Sequence, residues 1–217
     1  MSGVRYLLFD LDDTLYTNAS GLFTEVGSRI EGWIAATFDL SPDEAKALRR
    51  RWFLEYGTAM SGLVHEHPEI DIDAYLDHVH DIDVSRYLDP NPALAAMLRS
   101  LPAPKAVFTN SIGSWAEKIT RQLGIRDCFE AIYDVRAVGY RSKPDPYAFN
   151  WVLGQLGLPG PACVMLDDQV SYLAGATAVG MRTVLVRKGA QRTNGIEYQV
   201  DSVLEAEPVL RELLGAM

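Results

Sequence analysis

Cysteine is scarce in this chain, with two in 217 residues, and that scarcity already excludes several architectures. Cys128 and Cys163 fit no CxxC or Cys/His spacing, so neither a disulfide framework nor a thiolate metal site is expected. Cys163 sits in the apolar run Ala162-Cys163-Val164-Met165-Leu166 and reads as a small buried hydrophobe. Both thiols are expected to be free, in a reducing compartment. Long hydrophobic runs are missing too. No stretch approaches the roughly 20 apolar residues of a membrane span. The N-terminus enters a strand-like segment directly, without a basic start, an apolar stretch and a small-residue cleavage site. The expected setting is soluble and cytoplasmic. Positive charge is in deficit, 20 Lys and Arg against 29 Asp and Glu, for a net charge of −9. That balance disfavours non-specific binding to nucleic acid or anionic lipid. A small anionic substrate remains open, because a bound cation and one or two lysines can reverse the potential locally. Monomer and homodimer both stand.

What is present is a globular balance, 48% hydrophobic and 23% charged, at a length that suits a core domain with a smaller insert. Four short apolar runs read as buried strands: Val4 to Phe9, Lys105 to Phe108, Cys163 to Leu166 and Thr183 to Val186, with Ala131 to Val135 a weaker fifth. Helical segments alternate with the later ones. Ser114 and Glu117 are spaced as a capping box before Trp115 to Leu123, Asp145-Pro146 opens Tyr147 to Leu156, and Ser202 with Glu205 opens a last helix. Such alternation implies an α/β fold, a doubly wound parallel sheet with helices on both faces. After the first strand no strand-like run appears before Lys105. Ser41-Pro42-Asp43-Glu44 signals a helix start, and Ala45, Leu48, Trp52 and Tyr56 recur on one helical face. Residues 17–88 therefore read as a helical insert, with 1–16 and 89–217 forming the core.

Three of the four clear strands run straight into polar residues: Phe9 into Asp10, Phe108 into Thr109-Asn110, and Leu166 into Asp167-Asp168. The carboxyl ends of strands in an open parallel sheet line the ligand crevice. Carboxylates meeting there repel one another unless a cation intervenes, and an all-oxygen set suits magnesium. Each element also has a plainer reading. Asp10-Leu11-Asp12-Asp13-Thr14 is either a pair of acids aimed at one substrate or an acidic helix cap. Thr109-Asn110-Ser111 is either a neutral anion seat at a helix start or an ordinary cap. Lys143 is either held in place by the Ser142-Lys143-Pro144-Asp145-Pro146 turn or free in solvent. Asp167-Asp168 either share a counter-ion or are eased by a helix N-terminus.

In this order, on these strand ends, the four motifs together resemble the haloacid dehalogenase superfamily, the aspartyl-phosphate-forming phosphatases. The insert directly after the first motif matches the members with a helical cap, so the resemblance implies a Rossmann-like core carrying a helical cap. It implies Asp10 as nucleophile, Asp12 as general acid and base, and Lys143 as a stabiliser of the transferring group. It further implies Thr109 and Asn110 as phosphate contacts, and Mg2+ held by Asp10, Asp168, the Asp12 backbone carbonyl and, as a further or outer ligand, Asp167. Within the insert, Glu55-Tyr56-Gly57-Thr58, Gly62-Leu63 and Val79-His80-Asp81-Ile82-Asp83 look like the pyrimidine 5′-nucleotidase branch. So does the stretch Gly139-Tyr140-Arg141-Ser142-Lys143-Pro144. That implies a nucleoside monophosphate substrate, with Tyr56 as the candidate pocket residue of the cap. Two positions depart from the pattern: Tyr172 stands where relatives usually carry Asn or Asp, and Trp115 where His is expected.

The alternatives are a phosphatase of phosphosugars or other small phosphoesters, and a silent binding or regulatory protein on the same fold. A dehalogenase is disfavoured by Asp12, since that chemistry needs no acid two residues on. His65-Glu66-His67 and His78-Val79-His80 match no zinc spacing and read as solvated, or with one facing the pocket mouth. Arg49-Arg50-Arg51 reads as a solvated helix face in an acidic protein. Trp33 and Phe53, like Tyr56, are either rings to stack on a base or packing of the insert, and packing is the plainer reading for most of them.

Overall fold

Tyr6-Leu7-Leu8-Phe9 forms a strand in which every residue is buried, which an apolar run can do only where both faces are covered. In the computed structural model, which describes residues 3–189 and 194–215, this strand, β1, is central. The parallel sheet also contains β2 (Lys105–Phe108), β3 (Ala131–Tyr133), β4 (Cys163–Asp167), β5 (Arg182–Val186) and β6 (Tyr198–Val200). The order is β3-β2-β1-β4-β5-β6. Successive crossovers run outward first on one side of β1 and then on the other, as the doubly wound reading requires. The edge strands β3 and β6 are only half-buried. The three-residue β6 has no apolar run to mark it, and it is an addition to the sequence reading.

The helices are α1 (Leu22–Phe38), α2 (Pro42–Tyr56), α3 (Ala59–Glu66), α4 (Ile72–Val79), α5 (Pro92–Ser100), α6 (Gly113–Gln122), α7 (Pro146–Leu156), α8 (Val170–Ala178) and α9 (Glu207–Leu214). Alternate residues of the central strands (Tyr6 and Leu8, Ala106 and Phe108, Cys163 and Met165) pack with Phe149 and Val152 of α7 and Leu173 of α8. Phe108 meets Phe149 edge-on, with ring centroids 5.3 Å apart. The chain divides into two compact units, Asn18–Tyr87 and the remainder, Met1–Thr17 with Leu88–Met217.

Two expected helix starts form as read. Ser41 and Glu44 make a reciprocal capping box on α2, with the Ser41 N–H donating to Glu44 Oε2 at 2.9 Å. The Tyr147 N–H donates to Asp145 Oδ1 at 2.8 Å on α7. The Ser114–Glu117 box does not form. Helix α6 starts two residues earlier, at Gly113, with Ile112 as an N-cap that makes no side-chain bond. Its first N–H donates instead to Asp134 Oδ2 at 2.7 Å, from just beyond β3, and Glu117 turns to Arg126 and Arg121. A distant carboxylate thus replaces the local cap. At the C-terminus Ser202 precedes and Glu205 lies within a 3-10 turn, Val203–Ala206, so the pair opens that turn rather than α9, which follows from Glu207.

The helical unit has its own core. Trp33 lies edge-on to Tyr75 at 4.8 Å, and Phe38 edge-on to Trp52 at 6.1 Å. Trp33 is therefore packing, as expected, while the Phe53 ring on α2 is 44% exposed. Arg49 pairs with Glu31 at 2.8 Å, and Arg51 with Glu66 at 2.6 Å and Glu55 at 2.9 Å. Two of the three arginines of the basic run are thereby paired within the unit, and Arg50 is exposed. Helices α2 and α3 touch where Gly62 faces Trp52, and a Cβ at Gly62 would lie 2.2 Å from Trp52 Cγ. Gly62→Ala should therefore cost about 1–3 kcal/mol through overpacking against a fully buried indole, read as a lower urea midpoint. An unchanged midpoint would show that Trp52 moves aside freely.

Candidate active site

Sheet order reverses between β1 and β4, and ligands of open α/β sheets bind at the carboxyl ends beside that switch. The two strands pair with Phe9 opposite Leu166, and the Asp10 N–H continues the ladder to the Leu166 carbonyl at 2.9 Å. The next residues out, Asp10 and Asp167, are neighbours as a direct result of this register. Asp168 follows one residue later. One carboxylate oxygen from each of Asp10, Asp167 and Asp168 lies within 4.8 Å of the others, and all three residues are buried.

Lys143 reaches this cluster from the loop before α7. Its side chain is fully buried, and Nζ donates to Asp10 Oδ1 at 2.8 Å and to Asp167 Oδ2 at 2.6 Å. Its position is held at both ends. The Asn110 side chain clamps the Lys143 backbone, accepting from its N–H at 2.8 Å and donating to its carbonyl at 3.0 Å. The Phe108 and Tyr172 rings each stand 5.3 Å from Nζ, close enough to favour a cation. Gly175 of α8 completes the fit: a Cβ there would meet the Pro144 carbonyl oxygen at 2.4 Å. Lys143 is held in place rather than solvated.

Burial alone would lower the Lys143 ammonium, but the Asp10 and Asp167 carboxylates outweigh it and raise the group above an ordinary lysine. Burial raises both Asp10 and Asp167, with Lys143 opposing. The two short contacts to Nζ favour the ionised pair. Asp168 accepts from Gln169 Nε2 rather than from the ammonium, and burial, then Asp10 and Asp167, push it up to about 8. With all three carboxyls ionised, one ammonium leaves the group two negative charges over, and the raised Asp168 lightens that excess by holding a proton. A hard divalent cation fits that set of oxygens and that excess.

The excess charge makes a pH prediction. A carboxyl raised on folding takes up protons as the chain folds, so stability falls as pH climbs from the ordinary carboxylate range, about 4, to about 8 for Asp168. The raised Lys143 loses its contribution only above the ordinary lysine range, outside this window. The acids with lowered values, such as Glu44 and Glu207, weaken only below it. The chelated protein should therefore gain stability, on the order of a few kcal/mol, between pH 8 and pH 5, and saturating Mg2+ should flatten the curve. Urea midpoints across that range are the measurement. A flat metal-free profile would remove the case for shared buried charge.

Thr109 is buried at the end of β2, and its Oγ1 accepts from the Ser111 N–H at 3.0 Å, which leaves its own O–H to donate. The Asp12 carboxyl is held by its own set of donors. Its Oδ1 accepts from the Tyr16 hydroxyl at 2.5 Å and from Trp115 Nε1 at 3.1 Å, and its Oδ2 from Ser111 Oγ at 2.7 Å. Burial, and then the Asp12 carboxylate, raise the Tyr16 phenol well above its usual value, so it stays a donor. Tyr16, Gln169 and Gly175 were not singled out in the sequence. Tyr16 had a signal, four residues after Asp12 in a turn; Gln169, whose N–H donates to Asp167 Oδ1 at 2.8 Å, and Gly175 had none. Tyr56 lies in the helical unit, its hydroxyl donating to Glu66 at 3.2 Å and its ring 4.9 Å from that of His65. Among the described residues, the three-carboxylate cluster is the only group of metal-ligating side chains close enough to share an ion. The histidines have other company: His80 Nδ1 is 2.7 Å from the Leu76 carbonyl, and His67 is 3.3 Å from Glu69. No helix among the described residues is long and apolar enough to cross a membrane.

A doubly wound sheet with a helical insertion after β1 and buried acids at the β1/β4 switch defines a class of hydrolases. The chain belongs to the haloacid dehalogenase-like hydrolase family, whose model matches residues 4–180. It is 29% identical to phosphoglycolate phosphatase of Pectobacterium atrosepticum, over 99% of this chain and 94% of that protein. It is 28% identical to Phosphate metabolism protein 8 of Saccharomyces cerevisiae over 83% of this chain, an alignment that takes in only 61% of the yeast protein. Among solved structures, a HAD phosphatase from Thermococcus onnurineus superposes with a TM-score of 0.65 at 21% identity, covering 98% of this chain and 99% of that one. That last likeness concerns the fold alone.

Proposed function

We propose that this protein is a magnesium-dependent phosphomonoesterase acting on small phosphoesters through an aspartyl-phosphate on Asp10. The observation that carries the reading is the buried cluster of Asp10, Asp167 and Asp168 around Lys143 at the sheet switch point. Asp10 and Asp168 would hold the ion, with the Asp12 backbone carbonyl and, as a further or outer ligand, Asp167. A bound magnesium ion supplies charge neutralisation between the carboxylate nucleophile and the phosphate dianion.

The chain's own groups do the rest. An Asp10 oxygen attacks phosphorus, the ester P–O bond breaks with its electron pair on the leaving oxygen, and Asp12 supplies the proton that this oxygen takes up. Water then attacks phosphorus and gives a proton back to Asp12. The bond to Asp10 breaks, and inorganic phosphate departs. Lys143, the Thr109 hydroxyl and the Asn110 N–H stabilise charge on the transferring group. Splitting the hydrolysis in this way replaces one hard displacement with two easier ones.

The substrate is read first as a small phosphoester, supported by the near full-length likeness to a protein named phosphoglycolate phosphatase. The narrower reading, a pyrimidine nucleoside monophosphate, rests on the resemblance of residues 55–63, 79–83 and 139–144 to the nucleotidase branch, with Tyr56 as the proposed substrate contact. A panel of phosphoglycolate, sugar phosphates and nucleoside monophosphates, each with Mg2+ and with excess chelator, tests both. Preference for nucleotides would restore the narrower reading. Silence on every phosphoester would favour a binding protein, and hydrolysis undiminished by chelator would end the metal assignment.

A further inference from the structure

The two oxygens of the Asp12 carboxyl are chemically unlike. Tyr16 O–H and Trp115 Nε1–H both donate to Oδ1, and Ser111 Oγ alone donates to Oδ2. An indole N–H can only donate, so Oδ1 must stay an acceptor in any state that keeps this contact. A serine hydroxyl both donates and accepts, so by rotating its O–H, Ser111 can receive a proton held on Oδ2. The histidine expected at position 115 could present a bare nitrogen instead; tryptophan cannot. Tyr16 and Trp115 are 6% and 1% exposed, which makes water a poor substitute for either donor.

We propose that Tyr16 and Trp115 are positioning residues for the acid-base step, fixing the plane of the Asp12 carboxyl and confining its exchangeable proton to Oδ2, with Ser111 as the partner at rest. The inference rests on the acid-base role given to Asp12 above. As the ester P–O bond breaks, the leaving oxygen keeps the electron pair and takes the proton from Oδ2. Asp12 becomes a carboxylate whose charge is met by the Tyr16 and Trp115 donors already in place and by Ser111 once its O–H turns back to Oδ2. In the second half the proton lost by the attacking water returns to Oδ2. Oδ1 takes no part in either transfer.

Leaving groups distinguish this role from a structural one. An alkoxide needs a proton to depart, whereas p-nitrophenolate does not. The ratio kcat/KM reports the steps up to formation of the aspartyl-phosphate, in which the leaving group is expelled. Tyr16→Phe and Trp115→Phe each remove one donor and keep an aromatic ring. Each should lower kcat/KM for an alkyl phosphate about 10- to 100-fold and for p-nitrophenyl phosphate less than about 3-fold. Tyr16→Phe deletes a single hydroxyl and carries the test alone if Trp115→Phe does not fold. Equal losses on both substrates, or none on either, overturn the inference and leave the phosphatase reading intact. Wild-type protein inactive on all phosphoesters overturns that reading, and this one with it. Wild-type activity confined to aryl phosphates would show that Asp12 delivers no proton.

Discussion

Asp10→Asn should abolish turnover, by about 10⁴-fold or more, and leave the fold intact. The amide keeps the shape of the side chain and an oxygen for the Lys143 ammonium, now 2.8 Å from Oδ1, but it has no anionic oxygen to attack phosphorus. Nothing is lost in packing. One negative charge is removed from a cluster that burial already penalises, so the variant should unfold at the same urea concentration as wild type or a higher one. Thr109→Ala is the contrast. It removes one donor to a phosphate oxygen while the nucleophile stays, and should cost about 10²–10³-fold in kcat. The measurement is steady-state hydrolysis of p-nitrophenyl phosphate beside a urea melt for each protein. Equal, small losses from the two substitutions would refute the nucleophile assignment.

The elements that carry the chemistry were legible because a buried parallel strand writes itself plainly: an apolar run ending abruptly in a polar residue. Phe9-Asp10, Phe108-Thr109 and Leu166-Asp167 are three such endings, and once β1 and β4 are neighbours their register brings Asp10 beside Asp167. Local signals worked equally well where the partner is local, as in the Ser41–Glu44 box. They failed where the partner is far away in the chain. The first N–H of α6 goes to Asp134, 21 residues on, so the Ser114–Glu117 spacing was overruled by a contact that no local window contains. In the sequence Trp115 stands out only as a misfit, because its bond to Asp12 spans 103 positions. Gly62 was noted as part of a resemblance, while the reason for it, an indole that leaves no room for a methyl, exists only once α2 and α3 are packed.

Lys143→Met should be the most damaging single change to stability among the site residues. Methionine fills much of the volume but leaves the Asp10, Asp167 and Asp168 carboxylates buried without the ammonium that bridges two of them. Removing one partner of a buried ion pair typically costs about 3–5 kcal/mol, because the other is left uncompensated. The loss should be larger at pH 8 than at pH 5, since Asp168, pushed up to about 8, can discharge by protonation as the solution becomes acidic. Mg2+ should return part of it. The double variant Lys143→Met with Asp167→Asn separates charge from packing: removing one of the two bridged acids together with the base should recover part of the stability and none of the activity. A coupling of that sign in a urea double-mutant cycle places Lys143 as the counter-charge of the cluster. If the double variant is as unstable as the single, the lysine's contribution lies in its packing between Phe108 and Tyr172, and the electrostatic account of the site fails.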